Sequence, residues 1–230
     1  MPLPVEKKNF EKEYQEKGTY YHNLTGFKKF FFDINYKLLA EPIKPTDKVL
    51  DVACGDGAFS DYLPTEDIIG IDNAPTAIKF AQESGKKGTY KVMNMENLDF
   101  QENTFDVVTC SLSLFYFDES NMDKVLQEIK KVLKPNGKFI FSYKNLDHSK
   151  IQEYIATLDS TMKSFSLDEL KEALKRNGFE VEKIVGTNLM LNLDEVPEEK
   201  LDEIYELSRK LAYYLPKESY HYVVYTRINK

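Results

Sequence analysis

Two aspartates and two glycines stand where they can hold a ligand. Asp51 lies in the apolar run Lys48-Val-Leu-Asp-Val52, and Ala53-Cys54-Gly55-Asp56-Gly57 follows at once. Two glycines two apart after a strand allow a sharp turn and let a ligand approach the backbone closely. Beside that turn, Asp51 can accept hydrogen bonds from an ammonium group, directly or through water, and its charge makes the turn a poor seat for a pyrophosphate. About seventeen residues beyond Gly55, Asp72 ends a second apolar run, Ile68-Ile-Gly-Ile71, where a carboxylate can take both hydroxyls of a ribose. The chemistry these residues offer is binding of a ligand that is cationic at one end and a nucleoside at the other.

The elements that must position them alternate. Asn9 to Leu39 reads as helix in two pieces broken between Gly18 and Gly26, with Phe27, Phe31, Ile34 and Leu38 on one apolar face. The strand at 48–52 is followed by a short helix over Ala58 to Leu63, and the strand at 68–71 by a helix that opens at Pro75 and stops before Gly85. Tyr90 to Met93 reads as a third strand. Phe105 to Cys110 is a fourth, apolar on both faces as in a covered parallel sheet. Met122, Val125, Leu126, Ile129, Val132 and Leu133 fall at helical spacing before Lys134-Pro-Asn-Gly137 and a fifth strand, Lys138 to Ser142. Ser166 with Glu169 forms a capping box, with a hydrophobic staple of Phe165 and Leu170, for a helix ending at Asn177-Gly178. Val181 to Val185 and Tyr220 to Thr226 read as the last two strands. Between them an acidic helix carries Leu201, Ile204, Tyr205, Leu211 and Leu215 on one face. The expectation is an α/β domain: a Rossmann-like, seven-stranded, mostly parallel sheet with helices on both faces and ligands at the carboxyl ends of the strands.

The 230 residues, 42% apolar and 30% charged, are enough to bury a core as a single domain. A net charge of −7 has the wrong sign for nucleic acid or an anionic membrane. No window approaches a membrane span, and the charged N-terminus has no apolar core of an export signal, so a cytoplasmic monomer or homodimer is expected. Cys54 and Cys110 sit in or beside apolar runs, where small packed thiols are the simple reading and a disulfide framework is not indicated.

At this point the sequence resembles the class I S-adenosylmethionine-dependent methyltransferases, of the small-molecule, methyltransferase-11 or ubiquinone-biosynthesis-like group. Val49-Leu-Asp-Val-Ala-Cys-Gly-Asp-Gly57 is similar to the family's first motif, which wraps the methionine part of the cofactor. Gly70-Ile-Asp72 looks like the second, where the acid holds the ribose. Asn94-Met-Glu-Asn-Leu-Asp-Phe100 resembles the segment D-A-x-x-L-P-F, whose first residue faces the adenine amino group; Asn94 replaces the usual acid and Asp99 the usual proline. Phe105 to Ser113 and Val132-Leu-Lys-Pro-Asn-Gly137 resemble the fourth strand with its loop and the turn before the fifth. There Asn136 replaces glycine and tolerates the same left-handed backbone. The resemblance implies S-adenosylmethionine as cofactor, held by Tyr20, Asp51, Ala53, Cys54, Gly55, Gly57, Asp72, Asn73, Asn94, Met95, Cys110 and Ser111. It further implies a helical lid over 1–40, a cofactor-binding core over 41–145, and a C-terminal half over 146–230 with a helical insertion about 195–216.

The acceptor side is less marked. Neither an Asn-Pro-Pro-Tyr run nor a proline-flanked cysteine follows the fourth strand, so nucleic-acid and protein-glutamine acceptors lose weight against a small molecule. Tyr116 faces the acceptor's place as a pocket wall or as a base. His22, beside Tyr20-Tyr21 in the lid, is a second candidate base. His22, His148 and His221 have no partners at metal-ligand spacing, so no metal site is expected and each reads first as a surface residue. Two rivals share the pattern: a non-catalytic module that keeps the cofactor, and a dinucleotide-dependent oxidoreductase. Against the latter, Gly55-x-Gly57-x-x-Ser60 lacks the third glycine.

Overall fold

The computed structural model describes residues 10–19, 24, 26–149, 151, 165–189 and 197–228. The N-terminal segment gives helices α1 (Phe10–Lys17) and α2 (Gly26–Ala40), which fall on either side of the expected break. Seven strands follow: β1 (Val49–Val52), β2 (Ile68–Asp72), β3 (Thr89–Val92), β4 (Phe105–Cys110), β5 (Leu133–Lys144), β6 (Phe179–Gly186) and β7 (His221–Ile228). They form one sheet in the order β3-β2-β1-β4-β5-β7-β6. The pairs from β3 to β5 are parallel, while β7 runs antiparallel to β5 and to β6. Reversal at β1 between β2 and β4 creates a topological switch point, and open α/β sheets bind ligands at such a point, outside the carboxyl ends of the strands.

Helices cover both faces. On one, α4 (Glu119–Val132) and α5 (Leu167–Arg176) bury Met122, Val125, Leu126, Ile129, Leu170 and Leu174 against Val108, Cys110, Phe139 and Phe141. On the other, Tyr36 and Leu39 of α2 join Phe59, Leu63, Val49, Val107, Ile140, Val223 and Tyr225. The capping box is formed as its sequence indicates, Ser166 accepting from the Glu169 amide and Glu169 accepting from the Ser166 amide. Asn136 takes the left-handed conformation, at φ 61°.

Helix α3 (Pro75–Glu83) lies beside β2 and β3, and α6 (Leu201–Tyr214) lies against β6. The buried face of α6 differs from the expected one. Tyr205, Ser208 and Ala212 are buried, whereas Leu211 and Leu215 are 44% and 46% exposed. Small residues win because the helix sits very close to the sheet: a Cβ on Gly186 would collide with the Ala212 carbonyl, and the Ser208 hydroxyl accepts from the Leu189 amide at 2.8 Å. Among the described residues no helix is long and apolar enough to cross a membrane.

Candidate functional site

Strand β1 is buried along its whole length, so Asp51 is a carboxylate inside the sheet, 5% exposed and opposite Gly70 on one side and Thr109 on the other. Thr109 Oγ1 donates to its Oδ1 at 2.8 Å. Burial pushes the Asp51 carboxyl up to about 7; the Thr109 hydrogen bond opposes that, and neighbouring Asp72 adds to it.

After β1 the chain makes a left-handed turn in three alternate residues: Ala53 at φ 56°, Gly55 at φ 56° and Gly57 at φ 76°. Two are glycines, for which this backbone is cheap. Ala53 adopts it at a cost of roughly 1–2 kcal/mol. The turn is pinned by Asp72 at the end of β2. Its Oδ2 accepts from the Gly55 amide at 2.9 Å and its Oδ1 from the Ala74 amide at 2.9 Å. Burial raises the Asp72 carboxyl, and the Ala74, Gly55 and Asn73 amides pull it back. Asp56 completes the group: it is 4% exposed, its Oδ1 accepts from the Ala58 amide at 3.3 Å, and its buried Oδ2 has no partner.

Three buried carboxylates therefore surround one glycine turn, and no ion pair joins Asp51, Asp56 or Asp72 to a lysine or arginine among the described residues. Such a group is costly without a cation, and among the described residues no cluster of three His, Cys, Asp or Glu could hold a metal. An organic cation fits. The missing side chain of Gly55 lets Tyr14 lie directly on its backbone, since a Cβ there would fall on the Tyr14 hydroxyl. The residues thus suit a ligand with a positive centre and a polyhydroxyl part, as S-adenosylmethionine has.

Helix α1 lies over this turn. Glu11 accepts from the Thr76 amide at 2.9 Å and from its hydroxyl at 2.6 Å, fixing α1 to the start of α3. Tyr14 is raised by burial and by Asp56 and Asp72. Phe10 packs edge-on against Tyr116, centroids 5.1 Å apart. The helix so spans from α3 to the loop after β4.

The remaining sequence-derived residues divide. Ala53, Cys54, Gly55, Gly57, Asp72 and Asn73 come together at the turn, and Asn73 is exposed. Cys54 packs with Ile78, Ala81 and Tyr90, and Cys110 is fully buried in β4; burial raises both thiols, which makes them unreactive. Asn94 is exposed after β3, its Oδ1 accepting from the Glu96 amide at 2.9 Å, with Met95 buried beside it. Ser111 follows β4, and its hydroxyl accepts from Asn35 Nδ2 at 3.0 Å. Tyr116 is half-buried among Phe10 and Phe115, a wall position. Tyr20 and His22 lie outside the described residues.

Sequence reasoning missed Tyr14, Glu11 and Asn35, whose places depend on helices docking from tens of residues away, and Asp56, which stands inside the turn and bonds locally to the Ala58 amide. His221 is a correction: it is 6% exposed at the start of β7 and not a surface residue, because Phe31 of α2 stacks over it at 4.6 Å. Its neighbours in sequence, Tyr220 and Tyr222, are apolar-bodied, the one available signal of burial.

Known proteins resemble this chain in sequence and in fold. Residues 50–141 match a family model described as a methyltransferase domain. The chain is 33% identical over 175 residues to a sterol 24-C-methyltransferase of Saccharomyces cerevisiae; the match takes in 67% of this chain and 44% of that protein. It thus spans less than half the length of that relative. An uncharacterised protein of Methanocaldococcus jannaschii is 26% identical over 77% of this chain and 79% of its own length. A crystal structure from Thermotoga maritima, described as an S-adenosylmethionine-dependent methyltransferase and possible histamine N-methyltransferase, superposes with a TM-score of 0.66 at 18% identity, covering 96% of this chain and 98% of the other.

Proposed function

We propose that the chain is a class I S-adenosylmethionine-dependent methyltransferase and that it transfers a methyl group from S-adenosylmethionine to a small-molecule acceptor. The observation that carries the proposal is the group of three buried carboxylates, Asp51, Asp56 and Asp72, set around the Ala53-Cys54-Gly55 turn and joined to no lysine or arginine among the described residues. When bound, S-adenosylmethionine supplies an electrophilic methyl group on a positively charged sulfur.

The chain's own residues bind and orient. Asp51 receives the ammonium end, Gly55 and Gly57 permit close backbone approach, and Asp72 receives the ribose hydroxyls with the oxygen lone pairs that the Gly55 and Ala74 amides leave open. Asn94 and Met95 flank the adenine, and Cys110 and Ser111 offer backbone at the methionine end. Helix α1 acts as the lid, with Tyr14 on the turn and Phe10 against Tyr116, and excludes water from the site. Displacement at an already activated methyl group asks for alignment and desolvation of the acceptor more than for covalent catalysis, which suits a site without an exposed nucleophile. A small acceptor agrees with the net charge of −7, and a cytoplasmic monomer or homodimer agrees with two buried free thiols.

Calorimetric titration with S-adenosylmethionine, its demethylated product and reduced dinucleotides tests the reading. Binding of the two sulfur compounds alone is expected; binding of a dinucleotide in their place would return the oxidoreductase alternative.

A further inference from the structure

Helix α6 carries two faces of different kind. One is fitted to the sheet, with Tyr205, Ser208 and Ala212 buried. The other is apolar and open. Of the five large apolar side chains exposed among the described residues, four lie on α6 or just past its end: Leu207, Leu211, Tyr214 and Leu215, from 44% to 80% exposed. The fifth, Val92, is on β3 at the opposite edge of the sheet. Ile204, Leu207, Leu211 and Tyr214 follow one another at steps of three, four and three, the spacing of a coiled-coil seam. At 3.6 residues per turn this seam lies roughly 110° round the helix from the buried face. Contiguous exposed apolar surface of this kind marks an interaction site.

Charge along the seam points to its occupant. On the flank away from Leu215 stand Glu203 and Glu206 in the first half of the helix and Lys210 in the second. Arg209 holds Glu206 by one oxygen, Oε2, at 3.0 Å, and among the described residues Lys210 makes no ion pair. We propose that a second copy of this chain docks here, the two α6 helices packing antiparallel about a two-fold axis. Leu207 then meets Leu211 of the partner subunit, and Ile204 meets Tyr214 of the partner subunit, so the seam closes on itself. In that register Lys210 of the partner subunit comes within two residues of Glu206, about 3 Å along the axis, and the two-fold repeats the pair. A parallel pairing would instead set Glu206 against Glu206 and Lys210 against Lys210, which repel. A lipid surface is the poorer partner: it draws basic flanks, whereas Asp202, Glu203 and Glu206 line this helix on a chain of net charge −7. The seam is a single helix of 14 residues, short of the about 800 Å² that each partner covers in a standard interface, so the dimer is expected to dissociate at micromolar concentrations. This surface is independent of what the glycine turn binds.

Sedimentation equilibrium of the full chain from about 1 to about 300 μM tests the pairing. The wild type is expected to pass from one chain mass toward two across that range. Leu211→Asp, at a position open to solvent in the single chain, is expected to stay at one chain mass throughout and to keep the wild-type melting temperature by circular dichroism. Glu206→Lys and Lys210→Glu are each expected to weaken association about tenfold, and an equimolar mixture of the two to regain it, because each mixed pair again sets opposite charges together. Should Leu211→Asp fail to fold, the mixing experiment decides alone. A wild type that stays at one chain mass up to the highest concentration overturns the proposal, as does a dimer that Leu211→Asp leaves intact or a mixture that associates no better than either charge variant. Flotation of the wild type with phosphatidylcholine–phosphatidylglycerol vesicles, lost in Leu211→Asp and without self-association, overturns it in favour of a lipid surface.

Discussion

At Asp72 both carboxylate oxygens already serve the fold, one on the Gly55 amide and one on the Ala74 amide. Asp72→Ala is therefore expected to act twice. Cofactor affinity by calorimetry falls at least about tenfold, or about 1.4 kcal/mol. Stability in denaturant falls by roughly 2 kcal/mol, because two buried amides lose their acceptor. Asp51 carries the pH dependence. Its folded value of about 7 lies above the ordinary 3.8, so the neutral form is favoured by burial; the stability this contributes is fully present below the unfolded value and is lost as pH rises through about 7. Cofactor-free protein is thus expected to melt at progressively lower temperature across that window, and Asp51→Asn to flatten the decline. Ala53 offers the opposite change: Ala53→Gly relieves the left-handed backbone and is expected to stabilise by about 1 kcal/mol in chemical unfolding.

Among the elements, α1 has no fully buried residue, and it is anchored by Glu11 on Thr76, Tyr14 on Gly55 and Phe10 on Tyr116. Removing one should loosen the lid without unfolding the sheet: Tyr14→Ala is expected to speed cofactor dissociation severalfold in stopped-flow measurements and to leave the melting temperature nearly unchanged. This helix also marks where the sequence stops being legible. Strands β1, β2 and β4 could be read because each is a continuous apolar run closed by a turn, and the capping box of α5 because its two residues are three apart. Both are local signals. The docking of α1 is set by contacts such as Glu11 to Thr76, 65 residues apart, and leaves no period in the sequence. In α6 the apolar count pointed to Leu211 and Leu215, but the helix buries Tyr205, Ser208 and Ala212, with the Ala212 carbonyl against Gly186 and Ser208 on Leu189.

At the scale of the molecule, the switch at β1 brings the ends of β1, β2 and β4 together. The turn and the two aspartates proposed to hold the cofactor were legible in the sequence as a local pattern because they lie in their strands or follow them directly. The fold places a turn ringed by Asp51, Asp56 and Asp72 at the switch point, with no lysine or arginine paired to them among the described residues, and S-adenosylmethionine is proposed to bind there. The most direct measurement is calorimetric titration with S-adenosylmethionine at about pH 6 in two buffers of different ionisation enthalpy. A cation beside Asp51 lowers its raised carboxyl, so saturable binding is expected with net proton release, seen as a difference in heat between the buffers, and Asp51→Asn removes most of that difference. A folded protein that takes up no S-adenosylmethionine, or binds it with no proton released, contradicts the account.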